Sequence, residues 1–293
     1  MYLSTSHILI NGDYNGKPKE AFDRNFSMLK DAGYDHVDIC FWELSKKPED
    51  WFATDAWEDG VAKIGELSKK YDLPIYQTHA NTYSGKQWDD PDYPLHDHQT
   101  ETTLRAIKAT AMLGGKWVVI HPMNLPHDPL YNVNKAKEAA MRKLEPYINE
   151  AKKLGVGIAV ENMVDFRGNR RRYCGGDIYE LIDLVDTIND ESVGICFDTG
   201  HANIDGVEPA AAIYEIGKRL KATHINDNHA SLADEHLLPG FGIIDWQKTV
   251  KALKDVGYDG DFAYEVQPHN LPEAMYPEWL RYSARLGKFL LGL

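Results

Sequence analysis

The chain has 293 residues, and its 45 acidic side chains outnumber 32 basic ones for a net charge of −13. That balance opposes the phosphate neutralisation on which non-specific nucleic-acid binding depends. Three cysteines with no Cys-x-x-Cys pair argue against a disulfide framework. The first residues carry no Lys or Arg before Lys17, and no apolar run approaches the roughly 20 residues that span a bilayer, so no membrane contact and a cytoplasmic location are expected.

Short apolar runs that each end on a polar or ionisable residue recur along the chain. The first and weakest is HILIN (7–11). HVDICFWE (36–43), IYQTHAN (75–81), WVVIHP (117–122), GIAVEN (157–162), VGICFDTG (193–200), ATHINDN (222–228) and FAYEV (262–266) follow. They read as strands. Between them lie helix-like segments such as 104–115, 136–155 and 246–257, each closing on glycine. Taking Glu43, His79, His121, Glu161, Asp198, His224 and Glu265 as strand ends, the repeat averages about 37 residues, and eight such units fill almost the whole chain. Alternating strands and helices predict a parallel sheet, and eight units predict a closed (β/α)8 TIM barrel in the α/β class, read as one domain over 1–293. An open doubly wound sheet is the rival, but neither a GxGxxG nor a GxxxxGK[ST] phosphate loop occurs.

In a barrel of this kind the strands' C-terminal ends share one mouth. The residues at those ends are His79, His121, Glu161, Asp198, His201, His224, Asp227 and Glu265, and the loop DEHLLPGFGIIDW adds Asp234 and His236. Carboxylates converging without a cation would repel one another. Oxygen and imidazole donors without thiolates suit Mn, Zn, Co or Mg.

VENM, CFDTGHAN, THINDN, DEHLLPGFGIIDW and YEV, in that order and spacing, resemble the xylose-isomerase-like TIM-barrel superfamily, which includes sugar-phosphate isomerases and epimerases and endonucleases of the endonuclease IV type. The likeness covers essentially the whole chain. It implies one divalent metal held by Glu161, Asp198, His224 and Glu265, with Glu161 and Glu265 as the acid/base pair and His201 as a substrate-binding histidine. The implied reaction abstracts a proton next to a carbonyl and passes through a metal-stabilised enediolate. A dehydratase on the same barrel shares the first step. The endonuclease branch implies instead up to three zinc ions, for which His79, His121, His201, Asp234 and His236 supply the further ligands or, in sugar-active relatives, orient substrate. Ketose 3-epimerases carry a Glu where Arg167 stands and an Arg where Ala230 stands, which sets this chain apart from them.

One basic loop interrupts the acidic surface: DFRGNRRRYCGG (165–176) holds four arginines within six positions. Arginine's planar fork suits phosphate or carboxylate. The loop follows Glu161, so Arg171 and Arg172 are candidates to grip an anionic sugar, with Trp42 and Glu43 as further substrate contacts. The expected partner is a small sugar or sugar phosphate. A homo-oligomer is suggested only by analogy with relatives.

Overall fold

The computed structural model describes residues 1–7, 14, 16–81, 96–122, 131–165, 174–231 and 233–292. Strands and helices alternate in the order β1 (Tyr2–Thr5), α1 (Pro18–Ala32), β2 (Ile39–Cys40), α2 (Trp57–Tyr71), β3 (Gln77–His79), α3 (His96–Met112), β4 (Trp117–Ile120), α4 (Val133–Leu154), β5 (Gly157–Glu161), α5 (Ile178–Ile188), β6 (Val193–Asp198), α6 (Thr199–Ile204), α7 (Pro209–Ile216), β7 (Leu220–His224), α8 (Trp246–Asp255), β8 (Asp261–Tyr264) and α9 (Tyr276–Leu291). β2 to β7 form a six-stranded sheet in sequence order, and β1 pairs with β8. All these pairings are parallel. Parallel bridges Ser6–Asp38 and Ile225–Tyr264 join the two sheets, closing the ring as a (β/α)8 barrel.

Two of the expected elements shift. The first strand is Tyr2–Thr5 rather than 7–11, of which residues 8–11 lie outside the described set. The loop expected over 84–99 ends earlier, because α3 already begins at His96. The three helix segments named from the sequence fall within or across α3, α4 and α8, and α4 stops at Gly155 in the left-handed conformation that glycine adopts without penalty. The three cysteines are free and buried. Among the described residues no helix is long and apolar enough to cross a membrane.

The strands' period of two sorts side chains between a large outer core and the barrel interior. Val118, Ile120, Ile158, Val160, Ile195 and Phe197 belong to the core between sheet and helices, while Val119, Ala159, Cys196 and Ala222 form a separate buried cluster. Each Val, Ile or Phe withdrawn from water in the outer core contributes about 1.5–3 kcal/mol. The alternation also positions the site. Two residues beyond Val119, Ala159, Cys196 and Ala222 come His121, Glu161, Asp198 and His224, one level nearer the mouth. Small side chains below thus leave the strand ends free to converge.

Candidate metal centre

Glu161 is the hub of the cluster. Its Oε2 lies 3.2 Å from His79 Nε2 and 3.0 Å from His121 Nε2, and its Oε1 lies 2.8 Å from His224 Nδ1. Glu265, just beyond β8, places Oε2 3.3 Å from the same His224 Nδ1. Asp198 caps α6 by accepting from the His201 backbone N–H at 2.7 Å. His201 donates from Nδ1 to the Asn162 carbonyl at 2.8 Å, leaving Nε2 3.4 Å from Asp234 Oδ2. His236 Nε2 lies 2.9 Å from that same oxygen, and its Nδ1 donates to the Glu265 carbonyl at 2.7 Å. Nine of the ten strand-end and loop candidates, all but Asp227, are therefore tied into one network.

Within it, one donor atom each from Glu161, Asp198, His224 and Glu265 lie within 4.8 Å of one another, and a second set of His79, Glu161 and His224 meets the same limit. Ligands on opposite sides of a divalent ion, each about 2.1 Å from it, are about 4.2 Å apart, so the quartet is close to the span one ion requires. Three carboxylates and one imidazole are hard donors of the kind that divalent ions take. The residues present fit such an ion.

Without a metal, protons on histidine balance the carboxylates. Burial opposes ionisation of Glu161, but His224 and His121 hold its pKa well below the usual carboxylate range. Burial likewise disfavours charge on His224 and His201, yet Cys196 with Glu161 and Glu265 pushes the first, and Asp198, Asp234 and Glu161 push the second, well above the usual imidazole value. His236 is pushed up to about 10 against its burial, chiefly by Asp234 and Glu265. Burial raises Asp198 to about 6, and it keeps His121 below its ordinary value. The positive charge supplied by these protons is what a cation would supply in their place.

Several residues that hold the site escaped the sequence reading. Asn162 clamps the Asp198 backbone, accepting its N–H at 2.7 Å and donating to its carbonyl at 2.9 Å. Asn226 donates to Asp198 Oδ2 at 2.8 Å. Gly200 permits that approach, since a Cβ there would stand 1.8 Å from Asn226 Oδ1. The available signal was an asparagine, a poor strand former, closing two apolar strands in VEN and HIN. Asp227 proves to be a loop anchor: its carboxylate accepts from the N–H groups of Asn228, Gly240 and Ile244 and from Trp246 Nε1. It thereby secures the loop that carries Asp234 and His236.

The end of β2 also needs correction. The strand stops at Cys40, and Glu43 lies beyond it in a 3₁₀ turn, Trp42–Leu44. Glu43 pairs with Lys46 at 2.5 Å, and the Lys46 ammonium sits 4.3 Å from the Trp42 ring centre. The carboxylate that faces the cluster from this segment is Asp38, one residue before β2, with Oδ2 4.0 Å from His224 Nε2. Arg171 and Arg172, with Arg167, lie outside the described residues.

A family model described as xylose isomerase-like TIM barrel matches residues 26–286. The chain belongs to that family. Among curated relatives, an uncharacterized protein of Methanocaldococcus jannaschii is 32% identical over 162 residues, 55% of this chain and 54% of the relative. A D-psicose 3-epimerase of Enterocloster bolteae is 30% identical over 44% of this chain and 41% of the relative. The chain thus spans about half the length of these two. A probable endonuclease 4 of Thermoplasma acidophilum is 26% identical over 83% of this chain and 81% of the relative. Among solved structures, a D-tagatose 3-epimerase-like protein superposes with a TM-score of 0.75 at 22% identity, covering 98% of each chain, which speaks for the shared barrel. A D-psicose 3-epimerase and a probable endonuclease 4 are thus both among the proteins that resemble the chain.

Proposed function

We propose that this chain is a divalent-metal-dependent isomerase or epimerase of sugars or sugar phosphates. The observation that carries the reading is the pair of glutamates, Glu161 and Glu265, brought against one imidazole nitrogen at the barrel mouth beside Asp198. A binding protein needs no such pair, whereas moving a proton next to a carbonyl needs a base on one side and an acid on the other. Likeness to a sugar epimerase supports the substrate class.

Glu161, Asp198, His224 and Glu265 would hold the metal, which when bound supplies positive charge beside the substrate's carbonyl and neighbouring hydroxyl. The protein's own groups do the rest. His224 and His121 keep Glu161 ionised, and His79 and His121 fix it in direction, ready to accept the proton next to the carbonyl. Glu265 is the less buried carboxylate, which suits it to return a proton. His201 presents Nε2 to the mouth because its Nδ1 is committed to the Asn162 carbonyl, which suits it to orient a hydroxyl. Arg171 and Arg172 would grip an anionic group.

Metal content and solvent exchange test this together. About one divalent ion per chain is expected, with deuterium from solvent appearing at the carbon beside the carbonyl of at least one ketose, aldose or their phosphates. Metal uptake without exchange on any of these would overturn it. Elimination of water from an exchanging substrate would mark the dehydratase variant.

A second reading, a zinc phosphodiesterase of endonuclease type, is favoured by one observation: His201 and His236 both address Asp234 Oδ2, as His79 and His121 both address Glu161 Oε2. Close to three zinc ions per chain and cleavage at abasic sites in DNA would put that reading first.

A further inference from the structure

Asp38 is buried inside the barrel, where an ionised carboxylate needs a partner. Its Oδ2 accepts from Gln77 Nε2 at 3.2 Å, and its Oδ1 has no hydrogen-bond partner. Among the described residues the nearest basic nitrogen is His224 Nε2, 4.0 Å from Oδ2, on the opposite edge of the ring from the nitrogen that faces Glu161 and Glu265. Gln77 fixes this relationship. The same Nε2 donates to the Thr223 carbonyl at 3.1 Å, and Oε1 accepts the Thr223 N–H at 3.4 Å. A single amide thus ties the carboxylate of Asp38, one residue before β2, to the backbone of β7 one residue before His224. The His224 ring is further confined by the His79 ring stacked on it, with centroids 5.2 Å apart.

We propose that Asp38 is a positioning residue for His224. It favours the proton on Nε2, and so leaves the Nδ1 lone pair for the metal that the proposed function requires. A neutral imidazole carries its proton on only one nitrogen, and a carboxylate beside the far edge decides which. Without Asp38 the proton is free to sit on Nδ1, between Glu161 and Glu265, where it competes with the ion. Cys196 also contacts the ring, but burial pushes its thiol up to about 12, so it offers a neutral and weaker acceptor.

This inference rests on the metal reading of the site, and its test separates the two. Manganese or zinc affinity would be measured by competition with a chelator for the unmodified protein, Asp38→Ala, Asp38→Asn and Cys196→Ala, with folding checked by circular dichroism. The expected result is a loss of about 10- to 100-fold for Asp38→Ala. Asn keeps an acceptor without the charge, so Asp38→Asn should fall between, and Cys196→Ala should stay near the unmodified value. In the zinc-loaded protein the His224 Nε2 proton should give a slowly exchanging NMR signal that Asp38→Ala loses. Unchanged affinity and an unchanged ring proton in a folded Asp38→Ala, or the loss appearing in Cys196→Ala instead, would overturn the proposal. If the unmodified protein binds neither metal, the proposed function falls. Asp38 is then judged on the metal-free ring at a pH high enough to leave it a single proton, where persistence of the Nε2 proton signal in Asp38→Ala refutes it and disappearance upholds it.

Discussion

His224 Nδ1 stands between two carboxylates, 2.8 Å from Glu161 Oε1 and 3.3 Å from Glu265 Oε2. One imidazole edge therefore joins the end of β5 to the end of β8 across the mouth. If those carboxylates exchange protons with a substrate, replacing either should stop turnover while leaving the barrel intact, because the outer core does not depend on them. Glu161→Gln and Glu265→Gln are each expected to lower kcat by at least about 100-fold, with an unchanged circular dichroism spectrum. Near-normal turnover in either would remove the acid/base assignment.

Metal removal should be felt in stability as well as in activity. Glu161, Asp198 and Glu265 converge with Asp234 nearby, and a cation that binds only the folded chain stabilises it by mass action. At a free metal concentration of about 100 times Kd the gain is about 2.7 kcal/mol. That corresponds to a rise of roughly 4–5 °C in Tm for a chain of this size. Differential scanning calorimetry with and without a chelator checks it, and superimposable transitions would count against metal binding.

The barrel was legible because its outer core obeys a simple alternation. Ile158 and Val160 face the helices, so Ala159 and Glu161 must face inward, and the same holds for Ile195, Phe197 and Asp198. A run that starts apolar and ends ionisable announces both strand and mouth. β1 was missed because YLST buries Ser4 and Thr5 at positions where no apolar pattern forms, and Thr5 Oγ1 bonds the Tyr264 carbonyl instead. Asp38 was passed over for Glu43 because it sits inside an apolar run, and only the partner strands show which way it faces. Asp227 read as a mouth residue for the opposite reason: spacing cannot tell a carboxylate that faces the substrate from one saturated by backbone N–H groups.

Asp227 is accordingly expected to matter through its loop. Four donors converge on its carboxylate, and a Cβ at Gly242 would lie 2.2 Å from its Oδ1. Hydrogen bonds to a charged group contribute about 1.5–3 kcal/mol each, but they release together as the loop opens. Asp227→Ala should destabilise the protein by about 2–4 kcal/mol in urea unfolding. It should also accelerate amide exchange in residues 236–244 more than elsewhere. Uniform exchange rates across the barrel would show that Asp227 does not hold this loop.

Substrate charge is testable through the arginine loop. A planar guanidinium binds phosphate by paired hydrogen bonds, and a neutral sugar offers no equivalent group. The double variant Arg171→Ala, Arg172→Ala should raise KM for a phosphorylated substrate about tenfold or more, and leave KM for its neutral counterpart within about twofold. Equal effects on both would remove the anion-clamp assignment, and steady-state kinetics on the matched pair decide it.

His7, two residues after β1, offers a pH-dependent stability with a known sign. Its ring is fully buried, and burial lowers its pKa from 6.5 to about 3. The Cys40 N–H, which can only donate, meets its Nδ1 at 3.2 Å and favours the neutral ring, while the Asp38 carbonyl 3.3 Å from the same nitrogen works against burial without outweighing it. The unfolded chain binds this proton below about pH 6.5 while the folded chain refuses it until about 3, so stability is complete above 6.5 and falls as pH drops through that window. The slope approaches about 1.4 kcal/mol per pH unit, or about 2 kcal/mol lost between pH 7.5 and 5. Burial raises Asp38 and Asp198 to about 6, which acts in the opposite direction over the same range. The His7 contribution is isolated by comparison with His7→Gln, whose amide oxygen can still accept from Cys40. The stability gap between protein and variant, measured by urea unfolding, should shift by about 2 kcal/mol in the variant's favour at pH 5. A gap that does not change with pH would mean that His7 is protonated in the folded barrel after all.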